Sequence, residues 1–156
     1  MDDFNTGAVN DFDIPPSHAN YIEPGKRPLS SMVPSIFTDD TGVRLIIGAS
    51  GGPKIITAIA YTAIRNLFFN ENIKQSIDAE RPHHQLHPDE VVYEGCFPRK
   101  IVDSLEDRGH KTKQLPVNVR GAIVMGISRS REGIINANSD YRKGGTIAGG
   151  WALIDY

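Results

Sequence analysis

The chain has 156 residues, 17 basic against 19 acidic side chains, a net charge of −2 and 39% hydrophobic content. Such a length fits one domain able to bury about 70% of its unfolded surface. The balanced charge, without a basic tract or an acidic block, argues against nucleic acid as a partner and against a solvating tail. The single cysteine, Cys96, excludes an internal disulfide, and no apolar run approaches the roughly 18 residues of a membrane span.

Residues 1–28 are rich in Asn, Asp and Pro and carry no periodic apolar pattern, which predicts an irregular opening segment. Pro15-Pro16 and the Pro24–Pro28 stretch discourage helix, because proline lacks a donor and restricts its predecessor. Short apolar runs at 32–38 and 43–49 flank the turn signal Asp39-Asp-Thr-Gly42 and predict a β-hairpin. From Pro53 to Phe69, Ile56, Ile59, Ala60, Ala63, Ile64 and Leu67 recur at helical spacing. Ile55, Ala58 and Phe68 widen that face and predict a helix buried on more than one side. A short helix is expected at 72–80 and a strand at Val91–Glu94. An amphipathic helix follows at 98–108, with Ile101, Val102 and Leu105 inward and Gly109 closing it. Runs at 119–128 and 133–138 predict a second hairpin about Ser130-Arg-Glu-Gly133. The order implies an α+β fold with helices on antiparallel sheets.

Gly48-Ala-Ser-Gly-Gly-Pro-Lys54 is not a nucleotide phosphate loop: Pro53 replaces the glycine before the lysine, and Ile55 the hydroxyl that meets magnesium. A strand, a Gly-Gly turn and a helix start remain. That pattern fits a plain tight turn as well as a cradle for negative charge. His83, His84 and His87 lie between Pro82 and Pro88, which spoils helical ligand spacing, and a structural loop is the favoured reading. Cys96 shows no pattern of an activated thiolate and is expected to be a small buried residue. Asp2-Asp3, taken alone, is a solvated end, and Ser30-Ser31 a strand start or turn.

In order, Met1-Asp-Asp-Phe4, Pro24-Gly-Lys-Arg-Pro-Leu-Ser-Ser-Met32, Gly48-Ala-Ser-Gly-Gly52, Glu80-Arg-Pro-His-His-Gln-Leu86 and Asp140-Tyr-Arg-Lys-Gly-Gly145 resemble the small subunit of γ-glutamyltransferase, or glutathione hydrolase. The likeness spans residues 1–150, leaving 151–156 as an unmatched tail. It implies part of an N-terminal-nucleophile hydrolase, a four-layer αββα sandwich shared between two subunits. The family's activity is attack on a γ-glutamyl bond by an N-terminal threonine whose amine serves as base, then transfer to water, an amino acid or a dipeptide. By the same likeness, Asp3 binds the α-amino group of the glutamyl moiety and Ser30 and Ser31 its α-carboxylate. The Gly51 and Gly52 N–H groups form the oxyanion hole. No metal or cofactor is implied. The partners implied are glutathione and γ-glutamyl compounds, acceptor amino acids or dipeptides, and the large subunit. In animals that subunit holds the enzyme at the outer face of the plasma membrane.

In the family the nucleophile precedes Met-Asp-Asp-Phe, and Thr6, Thr38, Thr41, Thr57 and Thr62 do not stand at that place. The chain is therefore expected to be a piece of the small subunit that is inactive and poorly stable alone. The alternative is a non-catalytic light-chain-like protein that binds γ-glutamyl compounds or a partner subunit.

Overall fold

The structure, a computed structural model, describes residues 4–116, 119 and 121–150. Its opening segment is irregular, with a single 3-10 turn at His18–Asn20. The expected hairpin follows as β1 (Ser35–Asp39) and β2 (Gly42–Ser50). Asp39 organises their turn by accepting hydrogen bonds from the Thr41 hydroxyl and N–H and an ion pair from Arg44. Those contacts hold its carboxyl at about 2.

Helix α1 (Lys54–Phe68) begins on Pro53, whose φ of −58° suits a helix start, and α2 (Ile73–Asp78) begins on a capping box between Asn72 and Gln75. Then come β3 (Pro82–His83), β4 (Val91–Tyr93), α3 (Arg99–Glu106), β5 (Thr112–Gln114), β6 (Ile123–Arg129) and β7 (Ile135–Ser139). Strands β1, β2, β6 and β7 form an antiparallel sheet in the order β1-β2-β6-β7; β3, β4 and β5 form a smaller one. The smaller sheet departs from the expectation of purely antiparallel pairing. Its β4 and β5 run parallel, because α3 carries the chain back to the same end before β5 begins.

Helices α1 and α2 cover one face of the large sheet. Leu45, Ile47 and Val124 from the sheet meet Ile55, Ala58, Ile59, Ala63, Ile73 and Ile77 in one core. Each fully buried aliphatic side chain there contributes about 1.5–3 kcal/mol. The inner side of α1 is narrower than predicted: Ile55, Ala58, Ile59 and Ala63 face the sheet as expected, but Ile56, Ala60, Ile64 and Phe68, four residues apart, point outward, so the helix is buried on one side and not on more. Apolar residues encircle this helix, so spacing alone could not say which side meets the sheet. Ile101 likewise points outward, and Val102 alone of its expected trio is fully buried.

The opposite sheet face is apolar and bare among the described residues. Register aligns Ile36, Ile46 and Ile127 across three strands, and they are 66%, 42% and 46% exposed. One helical layer on one such sheet is half of an αββα sandwich.

A buried ion cluster ties the two sheets together. Arg81, just before β3, meets Asp140 at 2.6 Å; Arg142 meets Glu94 at 2.6 Å and Asp140 at 3.1 Å. Arg142 also donates to the Ile77 and Ala79 carbonyls at the end of α2. Burial works against ionising Asp140, yet the Val124 and Arg142 N–H groups and the Arg81 guanidinium hold its carboxyl below the usual range. Burial, together with neighbouring Glu94, pushes Glu80 up.

Candidate functional site

The Gly51–Gly52 turn stands where β2 ends and α1 begins. Gly51 has φ of +135° and Gly52 of +60°, conformations that side chains resist. A Cβ on Gly51 would lie 2.8 Å from the Ala122 Cα, so the turn is pressed against the strand behind it. Among the described residues no hydrogen bond uses the Gly51 or Gly52 N–H. No side chain caps the helix start. Unengaged amides thus precede the positive end of a 15-residue helix, a setting in which negative charge is favoured.

Ser30 and Ser31 come to the same end of the sheet. Ser35 pairs with Ile47; Ser31 is four residues before the first and Gly51 four residues after the second. Ser30 is exposed and its Oγ accepts from the Met32 N–H at 3.2 Å; Ser31 is half-buried. Asp3 lies outside the described residues. Phe4, next to it, lines an open depression with residues 22–26.

The opening segment returns to the glycine turn through Phe12. Its ring lies against Gly52, with Cε1 and Cε2 at 2.7 and 2.9 Å from where a Cβ would stand. Asn10 shapes this bend by accepting from the Phe12 and Ile14 N–H groups. Gln85 holds it from the other side by donating to the Phe12 carbonyl at 2.6 Å. Sequence reasoning passed over both residues. The Asn-Asp pair at 10–11 was a turn signal, but nothing local linked it to residue 52.

The histidines separate. His83 bridges the Thr57 hydroxyl at 2.7 Å and Gln85 at 2.8 Å, and burial, reinforced by Lys54 and His84, holds its pKa down. His84 pairs with Asp89 at 3.2 Å. Cys96 is exposed, contrary to expectation, because it sits in the turn between β4 and α3. A cavity of about 20 Å³ lies between α1 and β3, lined by Lys54, Thr57, Arg81 and His83. It has room for about one water molecule, not for a glutamyl group.

Relatives bear on what such a turn serves. Residues 1–150 match the family model described as gamma-glutamyltranspeptidase. Scoloptoxins SSD20 and SSD14 of Scolopendra dehaani are each 48% identical over 151 residues, 96% of this chain. Glutathione hydrolase proenzyme 2 of Schizosaccharomyces pombe is 41% identical over 117 residues, 74% of this chain. The chain spans 76% of SSD20, but 26% of SSD14 and 19% of the proenzyme. The solved T380A mutant of Helicobacter pylori γ-glutamyltranspeptidase superposes with a TM-score of 0.81 at 33% identity, covering 91% of this chain and 78% of that one. With the match running through the glycine turn, the paired serines and the ion cluster, the chain belongs to the γ-glutamyltranspeptidase family.

Proposed function

We propose that this chain forms the glutamyl-binding and oxyanion portion of an enzyme that cleaves the γ-glutamyl bond of glutathione and its conjugates. The glutamyl group passes to water or to an amino-acid or dipeptide acceptor. The observation that carries the reading is the Gly51–Gly52 turn, with both amides unengaged at the start of α1 and Ser30–Ser31 at the same end of the sheet. When a nucleophile adds to the γ-carbonyl, its oxygen gains charge that the ground state lacks. Donors aimed at that oxygen beforehand stabilise the transition state selectively. The Ser30 and Ser31 hydroxyls suit a carboxylate, since neutral donors bind an anion without a salt bridge, and Asp3 suits the ammonium group. The attacking threonine and a large subunit, which also supplies attachment to the outer face of the plasma membrane, complete the enzyme from outside these residues. The bare Ile36-Ile46-Ile127 face is where the second sheet of the sandwich packs.

The test compares the 156-residue chain with the full two-subunit assembly on a chromogenic γ-glutamyl anilide. Only the assembly is expected to release product, and Ser30→Ala with Ser31→Ala should raise its KM at least tenfold, about 1.4 kcal/mol. Turnover by the chain alone, or an unchanged KM in the double variant, counts against the proposal. A second reading is a non-catalytic light-chain-like protein that binds γ-glutamyl compounds or a partner subunit; what favours it is that the chain spans 76% of SSD20. Saturable calorimetric binding of a γ-glutamyl amino acid to the 156-residue chain, with no turnover in any assembly, favours it.

A further inference from the structure

Gln85 stands where the opening segment, β3 and the start of α1 meet. Its Nε2 donates to the Phe12 carbonyl at 2.6 Å and to the His87 carbonyl at 2.8 Å. Carbonyls only accept, so the amide nitrogen faces them and Oε1 faces His83. The His83 Nε2, 2.8 Å from that oxygen, therefore carries a proton. In the neutral ring Nδ1 is then an acceptor, and the Thr57 hydroxyl at 2.7 Å donates to it. Donors and acceptors match in one direction, from Thr57 through His83 and Gln85 to Phe12. The run starts in the first turn of α1 and ends on the residue whose ring covers Gly52. Among hydrogen bonds between described residues, Gln85 to Phe12 is the one that ties residues 4–34 to anything beyond β1.

We propose that Gln85 is a positioning residue for the oxyanion turn: it latches the Phe12 backbone so that the ring shields one side of Gly52 and holds the turn in its left-handed form. Its purpose rests on the γ-glutamyl reading above; the latch itself stands on geometry. Amide donors stabilise developing charge best when they are fixed and shielded from water, and a loosened turn exchanges aimed donors for solvated ones. Phe12 is 43% exposed, so its ring lies on Gly52 with one part while another part meets solvent.

Two substitutions separate the latch from general stability. Gln85→Glu keeps the side-chain size and the acceptor for His83, but turns a carboxylate oxygen towards the Phe12 carbonyl and repels it. Phe12→Leu keeps the carbonyl and removes only the ring. A ring lying on Gly52 displaces its α-proton resonances, which NMR of the 156-residue chain reads without any catalysis. Both variants are expected to bring those resonances back towards ordinary glycine values, while His84→Ala leaves them in place. Unmoved resonances in Gln85→Glu, or an equal movement in His84→Ala, overturn the latch. In the full assembly, Gln85→Glu is expected to lower kcat roughly tenfold to a hundredfold with KM nearly unchanged, as for a donor misplaced by about 1 Å. A moved resonance with unchanged kcat overturns the positioning role alone. An assembly inactive even before substitution refutes the γ-glutamyl reading, whereas the latch still stands or falls by the glycine resonances.

Discussion

Replacing Asp140 by alanine should remove a large share of the molecule's stability, and the structure says why. Its carboxylate accepts from the Val124 N–H at 2.9 Å, the Arg142 N–H at 3.0 Å, Arg81 Nη2 at 2.6 Å and Arg142 Nη1 at 3.1 Å. Arg142 keeps Glu94 and two carbonyls if Asp140 is lost. Arg81 does not: its side chain is 5% exposed, its Nε and Nη1 have no hydrogen-bond partner among the described residues, and Glu94 stands 4.0 Å from Nε. The variant thus leaves a buried cation without a hydrogen-bonded counter-charge, at a cost of about 3–5 kcal/mol. The orphaned Val124 N–H adds about 1–3 kcal/mol. Domains of this kind hold about 5–15 kcal/mol in all, so the loss is a large fraction of the total. Urea titration followed by far-UV circular dichroism measures the loss. Arg81→Met should cost less by itself, because it removes two unsatisfied donors along with the charge. The double variant should then lose at least about 1 kcal/mol less than the sum of the single losses. A loss below about 1 kcal/mol in Asp140→Ala, or strict additivity, refutes the reasoning.

Acid should act through the same carboxyl. Its pKa is below the ordinary 3.8, so its contribution is complete above that value and disappears as pH falls through the depressed one. A denaturation midpoint that does not fall on acidification below about pH 4 contradicts this. Gly51→Ala should be destabilised by about 1–3 kcal/mol, from a disallowed φ and contact with Ala122, while Gly48→Ala, with open space at its Cβ, should stay within about 1 kcal/mol. Thermal melts of the two compare them directly. Ile46→Lys with Ile127→Lys on the bare sheet face should reduce self-association of the isolated chain without lowering its melting temperature by more than about 4 °C. Light scattering and a melt read both; a collapse of the fold would show that this face is core.

Local chemistry made much of this fold legible. The Asp39–Gly42 turn has its own hydrogen bonds, and Pro53 with helical spacing marked α1, so both were readable in short windows. The faces of α1 were not, since apolar side chains surround it and tertiary packing made the choice. Strands β3 and β5 span two and three residues, too short for any periodicity, and Thr112-Lys-Gln114 is polar throughout. The Gly-Gly turn was visible as a candidate because its residue types are rare in a strand-to-helix junction. Gln85 and Phe12 were not, being 73 residues apart, and neither were the cluster partners Arg81 and Asp140, 59 apart. The motifs Glu80-Arg-Pro and Asp140-Tyr-Arg gave the family likeness, yet their charged side chains meet each other in the interior.

That separation has a kinetic side. A ribosome adding roughly 5–20 residues per second needs roughly 3–12 s to travel the 59 positions from Arg81 to Asp140. Throughout that interval the guanidinium lacks its close carboxylate, Asp140, and Glu94 lacks the Arg142 guanidinium, so drying them out would be unfavourable. The ion cluster can therefore close only after β7 is made, as a late event of biosynthesis.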